Sequence, residues 1–347
     1  MRDEIQKEAV RIALEKGGGT LSLPVRTGKT LVGIRLICEF DKCLVSYPNS
    51  SIKESWFNDA DKFSISLANC TFTTHLSLNK HNLDEFDIII LDEIDQVSEA
   101  QWAYIADYPL VKLYGLTGTP PVEGSVKRKY LNTFCPVIYE VSLDETVGIL
   151  QKDYEITVHM LEPSTKADIL LKSGKYWSEK AKIQFWENKY KSSRQFMDML
   201  RIIQTIQNSP TKLAYLKELS TKLDRALIFV ETKEQCKNLK IPSYYSGNKL
   251  SGKNLDDFQN GTVNKLACVK QLSAGISFKN LNKAIILHCY ASNNKFHQRF
   301  GRILNLIDNI ETKAEIHLLC LKGTKDEKWM KDGLAELDQN KIKYINT

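Results

Sequence analysis

No two cysteines in this 347-residue sequence stand at CxxC spacing. The eight present, Cys38, Cys43, Cys70, Cys135, Cys236, Cys268, Cys289 and Cys320, are spread thinly. That argues against a zinc ribbon or a disulfide-stapled scaffold and reads as free thiols. No apolar run approaches the roughly 18–20 residues of a bilayer crossing, and a stretch such as 86–91 is strand-sized. The opening residues Met1-Arg2-Asp3-Glu4 are charged and lack the apolar segment of a secretion signal, so a cytoplasmic location with no membrane contact is expected. Short-period repeats and low-complexity tracts are also missing, which excludes solenoid and collagen-like arrays.

What is present is an ordinary globular composition, 42% hydrophobic and 26% charged, in a length that suggests two domains. The net charge of +6 is a weak pointer to a polyanionic partner. Its distribution says more. Residues 165–225 hold thirteen Lys/Arg against six Asp/Glu, leaving the rest of the chain near neutrality. The same segment carries Tyr176, Trp177, Phe185, Trp186, Tyr190 and Phe196. It reads as helical throughout, with one run over Ile183–Ile206, a break at Pro210 and a second helix over Lys212–Leu223. Two readings of it stay open. Either its lysines (Lys172, Lys175, Lys180, Lys182, Lys189, Lys191) and aromatics face nucleic acid, or it is a connector with its aromatics packed and its lysines solvated.

The flanking regions alternate short apolar runs with loops and helical stretches. Strands are expected at Thr20–Leu23, Cys43–Ser46, Phe86–Leu91 and Lys112–Leu116, then at Tyr154–Met160, Ala226–Val230, Leu266–Val269, Ala284–Leu287 and Glu315–Leu319. Such alternation implies α/β lobes with parallel sheets covered by helices on both faces. The end of the chain, from Lys325 with Trp329 and Leu334, reads as an amphipathic helix docked on the body. His288 reads as a packed core histidine.

Chemistry concentrates in two places. After the first strand comes Pro24-Val25-Arg26-Thr27-Gly28-Lys29-Thr30, and then a helical stretch. A phosphate cradle needs backbone N–H groups at a helix N-terminus, a lysine for the β/γ oxygens and a hydroxyl for Mg²⁺. Gly28, Lys29 and Thr30 supply the last three positions of GxxxxGK[ST], whereas Leu23 stands where its first glycine belongs. The second place is Asp92-Glu93-Ile94-Asp95, following the run Ile88–Leu91. Adjacent carboxylates at a strand end suit metal holding by Asp92 and activation of a water by Glu93.

These motifs resemble those of the superfamily 2 helicases and translocases, over nearly the whole chain. Asp92–Asp95 looks like the DEAD/DEAH motif, and Thr117-Gly118-Thr119-Pro120 like the motif that couples hydrolysis to strand movement. Gln6 resembles the adenine-reading glutamine of the Q motif. Pro48 followed by Trp56 is similar to motif Ia of the Swi/Snf and RecG-like branches, where the strand end and its loop touch a nucleic-acid backbone. Ala226–Thr232 looks like motif IV, and the segment from Gln271 looks like motif V, with Gly275 near the nucleotide. His297–Asn305 looks like motif VI, in which Arg299 and Arg302 lie three apart and reach toward a γ-phosphate.

The resemblance implies two tandem RecA-like P-loop domains, 1–145 and 146–325. The second would carry a helical basic insertion at about 164–223, and 326–347 would form a helical tail. It further implies an ATP- and Mg²⁺-dependent nucleic-acid motor, monomeric, hydrolysing ATP between its lobes. Lys29, Asp92, Glu93, Arg299 and Arg302 would be catalytic. Gln6, Arg26, Thr27, Gly28, Lys29, Thr30, Gly275 and Arg302 would bind nucleotide, with Thr30 and Asp92 on the metal. Thr117 and Thr119 would couple, and Pro48, Asn49, Thr74, Thr232, Ser273, Lys180, Lys182 and Lys189 would meet nucleic acid.

Single-stranded, forked or branched DNA is the expected partner, as for phage-encoded replication and recombination helicases acting in the host cytoplasm. RNA is the rival, and a replisome or nuclease partner a further expectation. Asn305 in place of the last motif VI arginine, and Ser277 in place of an aspartate, leave open a weakened ATPase acting as a clamp.

Overall fold

The computed structural model describes residues 1–24, 27–121, 123–147, 152–170, 174–269, 281–288, 313–335 and 337–347. The described residues up to 147 form one compact unit and those from 152 onward a second.

In the first unit, β1 (Gly19–Ser22), β2 (Cys43–Tyr47), β3 (Cys70–Thr74), β4 (Ile88–Asp92), β5 (Lys112–Thr117) and β6 (Val137–Glu140) form one sheet. Its order is β3-β2-β4-β5-β1-β6, every pairing parallel. The interleaved helices are α1 (Arg2–Lys16), α2 (Lys29–Ile37), α3 (Ser51–Lys62), α4 (Glu99–Ala106), α5 (Val126–Phe134) and the single turn α6 (Leu143–Thr146).

Successive strand residues point to opposite faces, so a strand buried on both sides must be apolar throughout. The run in β4 meets that demand. Ile88 and Ile90 join a core with Ala9 of α1, Val32 and Ile34 of α2 and Trp56 of α3. Ile89 and Leu91 join a second core with Trp102 and Ile105 of α4 and Leu131 of α5. Helices cover both faces, and the parallel strands bring the C-terminal ends of β4, β5 and β1 side by side. In such sheets ligands bind at the carboxyl edge.

The second unit contains β7 (Tyr154–Leu161), β8 (Ala167–Leu170), β9 (Tyr176–Ser178), β10 (Ala226–Val230), β11 (Ser243–Tyr244), β12 (Lys265–Val269), β13 (Lys283–Ile286), β14 (Ala314–Leu321) and β15 (Ile342–Asn346). Apart from β8 and β9 these build a parallel sheet ordered β11-β12-β10-β13-β14-β7-β15. Its helices are α7 (Glu179–Ser193), α8 (Phe196–Gln207), α9 (Pro210–Lys222), α10 (Lys233–Leu239), α11 (Ser251–Gln259) and α12 (Lys325–Leu334).

Two expectations are corrected here. The basic segment is not helical throughout: it opens with an antiparallel ribbon of β8 and β9, in which Ile169 faces Trp177. Its β-branched and aromatic residues favour strand, and Gly174, at φ +79°, supplies a left-handed turn position. The run Ile183–Ile206 is likewise two helices, parted where Arg194 adopts φ +52° and closes α7. The end of the chain is not helix alone. After α12, which buries Trp329 and Leu334, residues Ile342–Asn346 add β15 beside β7 as an edge strand.

Buried polar pairs fasten the insertion to its unit. Lys212 Nζ at the start of α9 meets Asp326 Oδ2 of α12 at 2.7 Å, with both side chains out of solvent. His288 Nδ1 lies 3.1 Å from the other Asp326 oxygen, which places this histidine in the core. At the first turn of α7 the buried Glu179 carboxylate accepts from Ser209 and Thr211 and from the Ser164 N–H.

Candidate active site

The phosphate loop is built by the end of β1 and the start of α2. Leu23, the residue in place of the first motif glycine, is buried and continues the sheet through its N–H to Thr117 O, 2.9 Å. Gly28 caps α2 with φ 86° and ψ 47°, a left-handed conformation that favours glycine. A Cβ at Gly28 would also fall 2.3 Å from Gln6 Nε2. Buried Gln6 of α1 donates from that amide to Thr27 O at 2.6 Å, and the Thr27 hydroxyl donates to Pro24 O at 2.8 Å. The loop is therefore pinned to α1 at the point where α2 presents its positive N-terminal end.

Lys29, the first residue of α2, places Nζ 3.8 Å from Glu93 Oε1. Gly118 leaves it room, since a Cβ there would stand 3.0 Å from Nζ. Asp92 is the last residue of β4 and is buried. Its Oδ2 accepts from the Trp56 indole N–H at 2.9 Å and its Oδ1 from the Glu93 N–H at 3.1 Å. Burial, and then the neighbouring Glu93, push the Asp92 carboxyl up to about 6, against the pull of Trp56 and Lys29. Glu93 has left-handed backbone, φ 51°.

Behind this pair stands His75, just past β3. Its Nε2 lies 3.0 Å from Asp92 O and its Nδ1 2.7 Å from Ser46 Oγ. Burial lowers its pKa to about 4, so the ring is neutral at pH 7.

The hydroxyl of Thr117 at the end of β5 donates to buried Asp95 Oδ1 at 3.1 Å and lies 2.9 Å from Thr119 O. Lys127 Nζ donates to Asp95 O at 2.6 Å. The Thr117–Thr119 and Asp92–Asp95 segments are thus one bonded network.

The sequence-expected residues divide clearly. Gln6, Thr27, Gly28, Lys29, Thr30, Asp92, Glu93, Thr117 and Thr119 lie together at one edge of the first sheet. Pro48 and exposed Asn49 follow β2, and half-buried Thr74 ends β3. Trp56, read with Pro48 as part of a nucleic-acid-touching motif, is fully buried and bonded to Asp92 instead. Thr232 caps α10 in the second unit, its hydroxyl accepting from Gln235 N. In the basic segment Lys180 is exposed and Lys182 half-buried, while Lys189 lies over Trp186 and 3.4 Å from Asp198. Trp186 and Tyr190 pack against the core, whereas Tyr176, Phe185 and Phe196 are exposed. Arg26, Ser273, Gly275, Ser277, Arg299, Arg302 and Asn305 lie outside the described residues. His75 was missed as a site residue, and Trp56 was read only with the nucleic-acid motif, not as a partner of Asp92.

The oxygen donors of Thr30 and Asp92 suit a hard cation that keeps waters and shares substrate phosphates, as Mg²⁺ does. No group of three or more His, Cys, Asp or Glu able to hold a metal occurs among the described residues, and such a shared site needs none.

Comparison with known proteins bears on this arrangement. Residues 211–306 match the helicase conserved C-terminal domain. The chain is 23% identical to the DNA 3'-5' translocase XPB2 of Sulfurisphaera tokodaii, over 93% of this chain and 82% of that protein. Among solved structures it resembles the ATP-dependent Type ISP restriction-modification enzyme LlaBIII bound to DNA, with a TM-score of 0.61 and 15% identity. That likeness covers 99% of this chain but only 31% of the enzyme, so the chain spans about a third of its length. The Pyrococcus furiosus Hef helicase domain gives 0.53 at 15% identity, over 95% of this chain and 98% of that one. S. cerevisiae Dbp5 bound to RNA and ADP BeF3 gives 0.60 at 12%, over 99% and 89%. At such identities the structures speak for the fold, two tandem RecA-like domains. The matched helicase domain and the translocase relative support a likeness to the superfamily 2 helicases and translocases.

Proposed function

We propose that the protein is an ATP-dependent DNA helicase or translocase that moves along or remodels forked or branched DNA in replication or recombination. The observation that carries this reading is the meeting of Lys29, Asp92 and Glu93 at the edge of one parallel sheet, beside the N-terminus of α2. The relative named as a DNA translocase supports DNA as the polymer. RNA is the second reading, because Dbp5, in a structure bound to RNA, shares the fold. A separate nuclease or replisome partner belongs to the same proposal.

In this mechanism the N–H groups of Gly28 to Thr30, with Lys29, bind and orient the β- and γ-phosphates of ATP. Gln6, whose amide keeps a second N–H and its oxygen beyond the bond to Thr27, reads the adenine. Thr30 and Asp92 would hold Mg²⁺, which when bound supplies charge neutralisation between the phosphates. Glu93 orients the attacking water and takes its proton on the carboxylate. By the same proposal Arg299 and Arg302 would contribute γ-phosphate contacts, and Arg26 and Gly275 would contact the nucleotide. Thr117 and Thr119 relay the change at Asp95. Pro48, Asn49, Thr74 and Ser273 touch the polymer backbone, Thr232 contributes from the cap of α10, and Lys180 and Lys182 add phosphate contacts more readily than the paired Lys189.

Glu93→Gln tests the assignment. It keeps the shape and removes the base, so turnover should fall about 10²–10⁴-fold while nucleotide and DNA binding persist. Turnover at the wild-type rate would overturn the role of Glu93.

A further inference from the structure

Two side chains outside the nucleotide motifs fix the Asp92–Glu93 pair. Trp56 is fully buried in α3, and its indole N–H, a donor only, reaches Asp92 Oδ2 at 2.9 Å. With the Glu93 N–H on Oδ1, both carboxylate oxygens have a fixed bearing. His75 holds the other side of the same residue. A carbonyl can only accept, so His75 Nε2 carries the proton donated to Asp92 O, and Nδ1 accepts from the Ser46 hydroxyl. Between carboxylate and carbonyl, the peptide leading into Glu93 is gripped where its backbone turns left-handed, a conformation unfavourable for a residue with a Cβ. Gly33 of α2 opens the space the indole occupies, since a Cβ there would lie 2.3 Å from Trp56 Cη2.

We propose that Trp56 and His75 are positioning residues, Trp56 orienting the Asp92 carboxylate toward the metal and His75 holding the peptide that aims Glu93. The inference rests on the proposed hydrolytic roles of Asp92 and Glu93. Groups that orient a metal-binding carboxylate without touching the metal are worth about 10–100-fold in metal affinity or activity. Trp56→Phe should therefore raise the Mg²⁺ concentration for half-maximal turnover by about 10–100-fold. Phe72→Leu, which trims an aromatic neighbour 6.2 Å from Trp56 without touching the hydrogen bond, should leave it unchanged. His75→Gln retains an N–H donor and should keep kcat near wild type, whereas His75→Leu should lower kcat with little change in KM.

A readout independent of turnover is the indole resonance of Trp56 in ¹⁵N-tryptophan-labelled protein, assigned by its loss in Trp56→Phe. A proton bonded to a carboxylate should lie downfield and move upfield in Asp92→Asn. An indole resonance indifferent to Asp92→Asn, a Phe72→Leu variant as impaired as Trp56→Phe, or equal turnover in the two His75 variants would overturn the proposal. Wild-type protein without ATP turnover would instead sink the hydrolytic reading, leaving the resonance as the separate test of the contact.

Discussion

Glycine within a helix normally costs about 1 kcal/mol against alanine, yet Gly33 stands mid-way along α2. Packing explains it, because the Trp56 ring occupies the volume a Cβ would take. Gly33→Ala should destabilise the first unit by about 1–3 kcal/mol in urea unfolding, the reverse of the helix-propensity trend. A stabilised variant would contradict the packing argument. The same contact marks the limit of reading this site from sequence. Gly28, Lys29, Thr30, Asp92 and Glu93 were legible because each cluster is contiguous and its chemistry local. Trp56 and His75 reach Asp92 across 36 and 17 residues of chain, a proximity that only the β2–β4 pairing and the placing of α3 create.

Among elements, the central strands were legible to within a residue or two because both their faces are buried and apolar. The strands missed, β3, β6, β8, β9, β11 and β15, are short or half-exposed, and β15 buries only Ile342. The paired strands β7 and β14 carry a buried contact with a measurable consequence. His159 Nε2 lies 3.0 Å from His317 Nδ1, and His159 Nδ1 2.8 Å from Tyr215 Oη of α9. Burial, aided by the charges of His317 and Lys222, lowers His159 to about 4. Burial also lowers His317, with Glu315 opposing and Lys283 assisting.

An unfolded imidazole titrates near about 6.5, so below that pH the unfolded chain binds protons that the folded one refuses. The pair's contribution to stability should be intact above about pH 6.5 and fall progressively as pH drops toward 4. His159→Gln should flatten that slope in urea midpoints of the second unit, and an unchanged slope would contradict the assignment.

Across the whole molecule, strand–helix alternation announced two α/β lobes, and the comparisons agree with tandem RecA-like domains. The uneven charge was also visible, but its availability was not. Lys212 is sealed against Asp326 from outside the basic segment, so part of the basic excess is neutralised within the fold, while Lys189 and Lys222 pair with Asp198 and Glu218 of the segment itself. Residues such as Lys180 stay exposed. If the protein is a motor, its ATP hydrolysis should answer to nucleic acid. The decisive measurement is the initial rate of ATP turnover without polymer, with single-stranded DNA, with forked DNA and with RNA. Stimulation by DNA, greater than by RNA, is expected; a rate indifferent to every polymer would contradict a nucleic-acid motor.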